Sequence, residues 1–245
     1  MNGNCSSSTA IFDVKTSSWK SLAPMPECVC NAGICRLGSH VYIIGGERGS
    51  YRYNQEVLCF DLETEKWMPS GIPDFPGRAY GGYATIASSN HTILLAGGVM
   101  ITHWNFRHGP RIGPCREVFS LDVTSCIWTR VADLPESDFA ANKCTGFLQQ
   151  SANNDTSCVV VSGKQTVQLL PSGQWDALPS FRKGAGCVAS FGNTIVSFQR
   201  SLKELVLLED GLHLSLPVQC SDFLPNTLEI VVYLSIFDMV VPVYK

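Results

Sequence analysis

One spacing recurs three times in this chain and limits what it can fold into. An aspartate is followed by a hydroxyl residue and then a tryptophan, D-x-x-[TS]-x-x-W, at Asp13/Thr16/Trp19, Asp61/Thr64/Trp67 and Asp122/Ser125/Trp128. Twice the turn is preceded by an apolar run ending on paired glycines, VYIIGG at 41–46 and ILLAGG at 93–98, and then by a second run, EVLCFD at 56–61 and EVFSLD at 117–122. Short apolar runs separated by turn residues read as strands. Their recurrence marks a repeat architecture.

The residue types suit that reading. Asp bonds backbone groups two residues on and starts a turn, which Thr or Ser supports. Gly45, Gly46, Gly97 and Gly98 leave room for a neighbouring sheet that a Cβ would exclude. Trp19, Trp67, Trp128 and Trp175 carry large rings expected to lie in the core between units. Sheets of this kind cannot bury both faces alone, so they must stack radially. These motifs resemble the kelch repeat, the blade unit of kelch β-propellers, over roughly residues 8–217. The resemblance implies an all-β fold, a kelch-type β-propeller of about four to five blades of four-stranded antiparallel sheet. Such propellers usually carry more blades, so the ring is expected to be incomplete.

In order, the reading gives a half blade at 1–27, blades at 28–75 and 76–136, degenerate blades at 137–180 and 181–218, and an apolar tail at 219–245. The fourth unit keeps Trp175 but has LLPSGQW in place of the Asp turn, and the fifth keeps an Asp210-Gly211 hairpin signal. The tail reads either as ring-closing strands paired with residues 8–22 or as an extension foreign to the propeller. Glu229, Asp238 and Pro242 interrupt it, which argues against a membrane-spanning helix.

With 245 residues, 45% of them hydrophobic, one domain with a sizeable core is expected. A net charge of −3 gives no general attraction to nucleic acid or to an anionic membrane. The N-terminus, MNGNCSSSTA, lacks the basic and apolar regions of a secretory signal, so the eleven cysteines read as reduced thiols in the cytoplasm. The sequons at Asn4, Asn90 and Asn154 matter only in a secreted chain. Cys28, Cys30 and Cys35 lack the second CxxC or His pair that a zinc site needs and read as strand residues, so neither metal nor cofactor is expected. His40, His91, His103, His108 and His213 are scattered, and no nucleophile with its base or carboxylate pair stands at a recognisable spacing. The chain is therefore read as non-enzymatic.

Binding is the better reading. Segments joining second to third strands should share one face with the connections between blades. In the second blade that segment is ERGSYRYNQ, with Arg48, Tyr51, Arg52, Tyr53 and Asn54. In the third it is the longer VMITHWNFRHGPRIGPC, read as a loop without periodicity of its own, with Trp104, Phe106, Arg107, His108 and Arg111. Arg78 and Arg182 should stand where first strands begin. In kelch-like proteins these positions commonly contact a partner peptide, and the resemblance implies a similar role here. Arg offers forked bonds to carboxylates, and both segments hold more Arg than Glu, so the expected partner is an acidic protein or peptide. The resemblance further implies the substrate-recognition part of a cullin-based ubiquitin ligase adaptor, whose BTB and BACK domains are not among these residues. The alternatives are an actin-binding cytoskeletal kelch protein and an inert truncated fragment.

Overall fold

The computed structural model describes residues 7–13, 16, 18–48, 52–79, 81–105, 109–135, 144–150, 156–162, 165–178, 187–191, 194–199, 204–209 and 212–217. Every regular element among them is a strand. A hairpin of β1 (Thr9–Asp13) and β2 (Ser18–Leu22) comes first. Four antiparallel four-stranded sheets follow. The first runs β3 (Gly33–Leu37), β4 (His40–Ile44), β5 (Val57–Asp61), β6 (Lys66–Met68). The second joins β7 (Ala84–Ala87), β8 (Thr92–Ala96), β11 (Val118–Asp122) and β12 (Ile127–Val131), and a separate hairpin of β9 (Val99–Asn105) and β10 (Gly109–Pro114) is inserted between β8 and β11. The third runs β13 (Cys144–Gln150), β14 (Thr156–Ser162), β15 (Gln165–Leu169), β16 (Trp175–Leu178), and the fourth β17 (Cys187–Phe191), β18 (Thr194–Gln199), β19 (Glu204–Glu209), β20 (Leu212–Pro217). First strands pack in sequence, β3 on β7, β7 on β13 and β13 on β17. This is the blade stacking of a kelch-type β-propeller. Among the described residues no comparable packing joins β17 to β3. The tail at 219–245 and the turn at Asp210-Gly211 lie outside the described residues.

Burial explains why the second strands read as unbroken apolar runs. Ile93, Leu94, Leu95 and Ala96 of β8 are all buried, as are Val159, Val160 and Val161 of β14, because each middle strand is covered on both faces by neighbouring blades. One core layer joins the first and second sheets through Ile44, Val57, Ile93, Leu95 and Leu121. Another joins the second and third through Ala84, Val118, Leu134, Val160 and Val167. Phe75, on the connection between the first two sheets, stacks edge-on against Tyr83 (5.4 Å) and Phe119 (5.5 Å) and meets Trp128 at 5.3 Å. Such aromatic contacts add to the area they bury.

A second regularity ties each blade to the one before it. The indole N–H of Trp67 donates to the Ala23 carbonyl (2.9 Å), that of Trp128 to Pro73 (2.9 Å) and that of Trp175 to Ala132 (2.8 Å). The three rings are half-buried rather than core, because they stand on the outermost strands β6, β12 and β16. Trp19 departs further from the expectation, being 56% exposed.

The Asp turns are built as the spacing requires. Asp61 accepts from the Glu63 N–H (2.9 Å) and the Thr64 hydroxyl (2.6 Å), and Asp122 accepts from the Thr124 and Ser125 N–H groups (both 2.9 Å). Glu65 and Cys126, each four residues after its Asp, take positive φ of 55° and 59° to complete the turn. Hydrogen bonding, from the Thr64 hydroxyl above all, holds the Asp61 carboxyl below its usual range, and the Ser125 N–H does the same for Asp122. The fourth unit turns differently, through a Gly173 N–H to Leu170 bond (2.9 Å) with Gly173 at φ 81°. His40 begins β4 opposite Asp61, and His91 lies 3.8 Å from Asp122.

Cys35, Cys59, Cys144 and Cys158 are buried strand residues, and Cys115 is buried beside the inserted hairpin. Burial pushes the Cys35 thiol up to about 12 and those of Cys115 and Cys158 to about 11. Among the described residues no group of three or more His, Cys, Asp or Glu is arranged to hold a metal ion, and no helix is long and apolar enough to cross a membrane.

Trp128→Ala is expected to lower unfolding stability by about 3–5 kcal/mol, as large aromatic truncations do, whereas Trp19→Ala should stay within about 0.5 kcal/mol; urea unfolding followed by circular dichroism compares them. The Asp carboxyls predict an acid dependence. Because their pKa is depressed in the folded chain, the stabilisation is complete above the ordinary value of about 3.9 and is lost as pH falls through and below it. Calorimetric melting from pH 5 to pH 2 should show that decline, and Thr64→Val, which removes the strongest bond to Asp61, should make it shallower.

Candidate protein-interaction surface

Both segments expected to form the surface begin at a glycine pair, and the geometry shows why glycine stands there. Gly45 has φ 64°, and a Cβ on it would fall 2.6 Å from the Tyr83 hydroxyl of the next sheet; one on Gly97, at φ 73°, would fall 2.7 Å from Cys144 Sγ. The second glycine of each pair meets backbone of its own blade: a Cβ on Gly46 would fall 2.7 Å from the Cys30 carbonyl oxygen and one on Gly98 2.6 Å from that of Gly81. The pairs thus serve two contacts, one between blades and one within a blade.

Tyr83 places the two segments at the same end of neighbouring sheets. Its hydroxyl donates to the Ala79 carbonyl (2.6 Å), its oxygen faces Gly45 and its ring edge faces Gly98. Burial raises its pKa, so it remains a neutral donor. From Gly46 the first segment is tied back through Asn54, whose N–H donates to Gly46 O and whose Nδ2 donates to Gly45 O (both 2.8 Å). Asn54 is 2% exposed. It is a clamp on the glycine turn and not a surface residue as its place among polar neighbours suggests. Glu47 reaches inward as well, accepting from Asn31 Nδ2 (2.8 Å) and from the Cys30 thiol.

Arg48 pairs with Glu56 (2.7 Å) and approaches Glu27 (4.0 Å). The arginine excess read from the second-blade segment is therefore offset by carboxylates outside it. Arg52 and Tyr53 are exposed. Arg78 donates its Nε to Glu117 Oε1 (2.9 Å) and its backbone N–H to Oε2 (2.8 Å), while its side chain stays 67% exposed. Arg130 reaches the same carboxylate at 3.8 Å and pairs with Asp133 at 3.0 Å. A nearly buried Glu117 thus fixes the start of the second blade through a residue expected to contact a partner.

The third-blade segment departs most from the expectation. It is no loop: β9 and β10 pair over six register positions, with a bulge at Thr102. Gly109 turns it at φ 78°, and Thr102 donates to the Arg111 carbonyl (3.2 Å). Met100 packs on the first core layer, and Val99 donates to the Gly81 carbonyl (2.9 Å), so the hairpin is rooted in its blade. Arg111 and His103 are exposed and stand opposite one another. Trp104 lies in β9 opposite Pro110. Tyr51, Phe106, Arg107, His108 and Arg182 lie outside the described residues.

The stacked four-stranded sheets, the glycine pairs and the Asp–Trp turns define a kelch-repeat β-propeller. The chain carries a kelch motif and is similar to kelch-like proteins. The family model described as Kelch motif matches residues 28–70. Mouse "Kelch-like protein 35" is 25% identical over 187 residues, covering 74% of this chain and 28% of that protein. Human "Kelch repeat and BTB domain-containing protein 13" is 28% identical over 247 residues, covering 82% of this chain and 52% of that protein. "Beta-scruin" of Limulus polyphemus is 28% identical over 108 residues, 41% of this chain. The chain spans between about a quarter and about half of the length of the first two relatives.

Arg78→Ala is expected to destabilise the fold by about 1–3 kcal/mol, since it strips a charged donor from the nearly buried Glu117. Arg52→Ala should leave the melting curve unchanged within about 0.5 kcal/mol. Differential scanning fluorimetry of the two variants separates the structural arginine from the exposed one.

Proposed function

We propose that this chain recognises an acidic segment of a partner protein at the end of the propeller where Tyr83 gathers the two inter-strand segments, and that it does so without catalysis. The observation that carries the reading is the exposed set Arg52, Tyr53 and Arg111 on segments leaving adjacent glycine pairs. Arg and Tyr supply the forked bonds and rigid area that interface hot spots use. By family resemblance the bound protein is a substrate presented to a cullin-based ubiquitin ligase, with the cullin engaged through domains other than the propeller, in the cytoplasm. Similarity to "Kelch repeat and BTB domain-containing protein 13" supports that assignment.

The test is affinity capture from lysate with the chain as bait beside an Arg52→Glu/Arg111→Glu variant of matching melting temperature. A protein retained by the parent and lost by the variant is the expected result. Co-expressed with the full-length product, that protein should turn over faster, and blocking cullin activation should restore it. Retention by both baits would remove the arginines from the site. Actin binding is the second reading, favoured by the match to "Beta-scruin". Co-sedimentation with filamentous actin, undiminished in the charge-reversed variant, would establish it in place of the first.

A further inference from the structure

The ends of the sheets away from the glycine pairs carry a cleft, separate from the surface described above. There β3 and β4 close through Gly38 and Ser39 alone, whereas β7 and β8 are joined through Ser88 to His91. Gly38 makes its tight turn at φ 56°, and a Cβ on it would meet nothing within 4 Å. A short turn beside a longer one leaves a step between neighbouring blades. That step is a cavity of about 350 Å³ beside Gly38, walled by Leu37, Ala87 and Leu148 and rimmed by Arg36, Ser89 and Asn90. Leu37 belongs to the first core layer, Ala87 packs against that layer and Leu148 against the second. The floor is therefore apolar.

The rim is rich in donors and poor in acceptors. Arg36 is exposed and donates its Nε to the Gly38 carbonyl (2.9 Å), which holds the guanidinium over the turn. Arg48, Arg78 and Arg130 are each paired with a carboxylate, but Arg36 has no such partner among the described residues, so its terminal amino groups keep their donors. Ser89 Oγ accepts from the His91 N–H (3.3 Å), which leaves its O–H to donate. Asn90 is exposed, and its side-chain amide has no hydrogen bond among the described residues. No Asp or Glu lines the cavity. The acids at this end of the sheets, Asp61 and Asp122, are taken up by their own turns.

Donors without acceptors above an apolar floor specify an anion with an apolar body. We propose that this cleft binds a small carboxylate, with Arg36 forking onto its two oxygens, Ser89 and Asn90 adding single bonds, and an aliphatic or aromatic group lying on Leu37, Ala87 and Leu148. The volume stands at the low end for ligand sites and suits a body of about one ring. A free acid and the C-terminal carboxylate of a polypeptide share this chemistry.

Saturation-transfer NMR on the whole chain, with 3-phenylpropanoate and its amide as probes, tests it. The acid should bind in the millimolar range, as a ligand of this size does, and the amide about ten-fold more weakly. Arg36→Gln and, independently, Asn90→Asp, which sets a carboxylate on the rim, should each weaken the acid about ten-fold while melting as the parent does. An acetylated pentapeptide with a free C-terminal phenylalanine is then added as competitor beside its amidated form. Displacement of the acid by the free form alone supports the site and extends it to chain termini, and displacement by neither supports a site confined to free acids. Equal binding of acid and amide, undiminished binding of the acid in either variant, or no transfer to the acid at all overturns the proposal. Loss of the acid on Arg52→Gln and not on Arg36→Gln would move it to the other end of the propeller and overturn the cleft as well.

Discussion

The fold depends on a contact between blades that is not a strand pairing. Each sheet is hydrogen-bonded within itself, and successive sheets meet through side chains and through backbone bonds beside their first strands, Gly82 N–H to the Asn31 carbonyl (3.0 Å) and Cys144 N–H to the Gly82 carbonyl (2.7 Å), so a polar link at the outer strands is needed to fix how far one blade is rotated against the next. The tryptophan indoles supply it. Trp67, Trp128 and Trp175 each reach back to a carbonyl on the connection that ends the preceding blade. The ring sets the spacing while its N–H sets the orientation, and a carbonyl at a sheet terminus gains the partner it needs.

What the blades hold in place is an end of the molecule where the glycine pairs converge. Tyr83 touches Gly45 of one sheet and Gly98 of its own, so the two segments that carry the exposed arginines share a buried neighbour. The segments are otherwise built on different plans. The first folds back on itself through Asn54 and Glu47 and balances Arg48 with Glu56. The second projects as a sheet of its own, and its sequence holds no Asp or Glu. One plan gives a compact rim and the other a platform.

Strand order and the Asp turns were legible because they depend on local chemistry: a carboxylate that captures its own backbone leaves the same signature wherever it occurs. Other features depended on distant partners and were not. Asn54 looks like one more polar loop residue, and its burial follows from the carbonyls of Gly45 and Gly46 turning toward it. Arg48 looks available until Glu56 is placed beside it. Trp19 carries the repeat's spacing but stands exposed. The hairpin at 99–114 was read as loop because two prolines and two glycines obscure the alternation. Pro110, Ile112 and Pro114 mark one face only once the bulge at Thr102 brings both strands into register.

The buried thiols have a consequence for how opening of this molecule can be watched. Cys35 belongs to the first four-stranded sheet, Cys115 to the junction after the inserted hairpin, and Cys144 and Cys158 to the third. All four are buried, and burial raises the pKa of each. A thiol so placed is nearly inert to alkylating reagents until the packing around it parts, because only the solvated thiolate reacts quickly. The propeller therefore carries its own set of clocks, in its first and third sheets and at the junction after the inserted hairpin. Their separate labelling rates would show whether its sheets come apart together or one at a time.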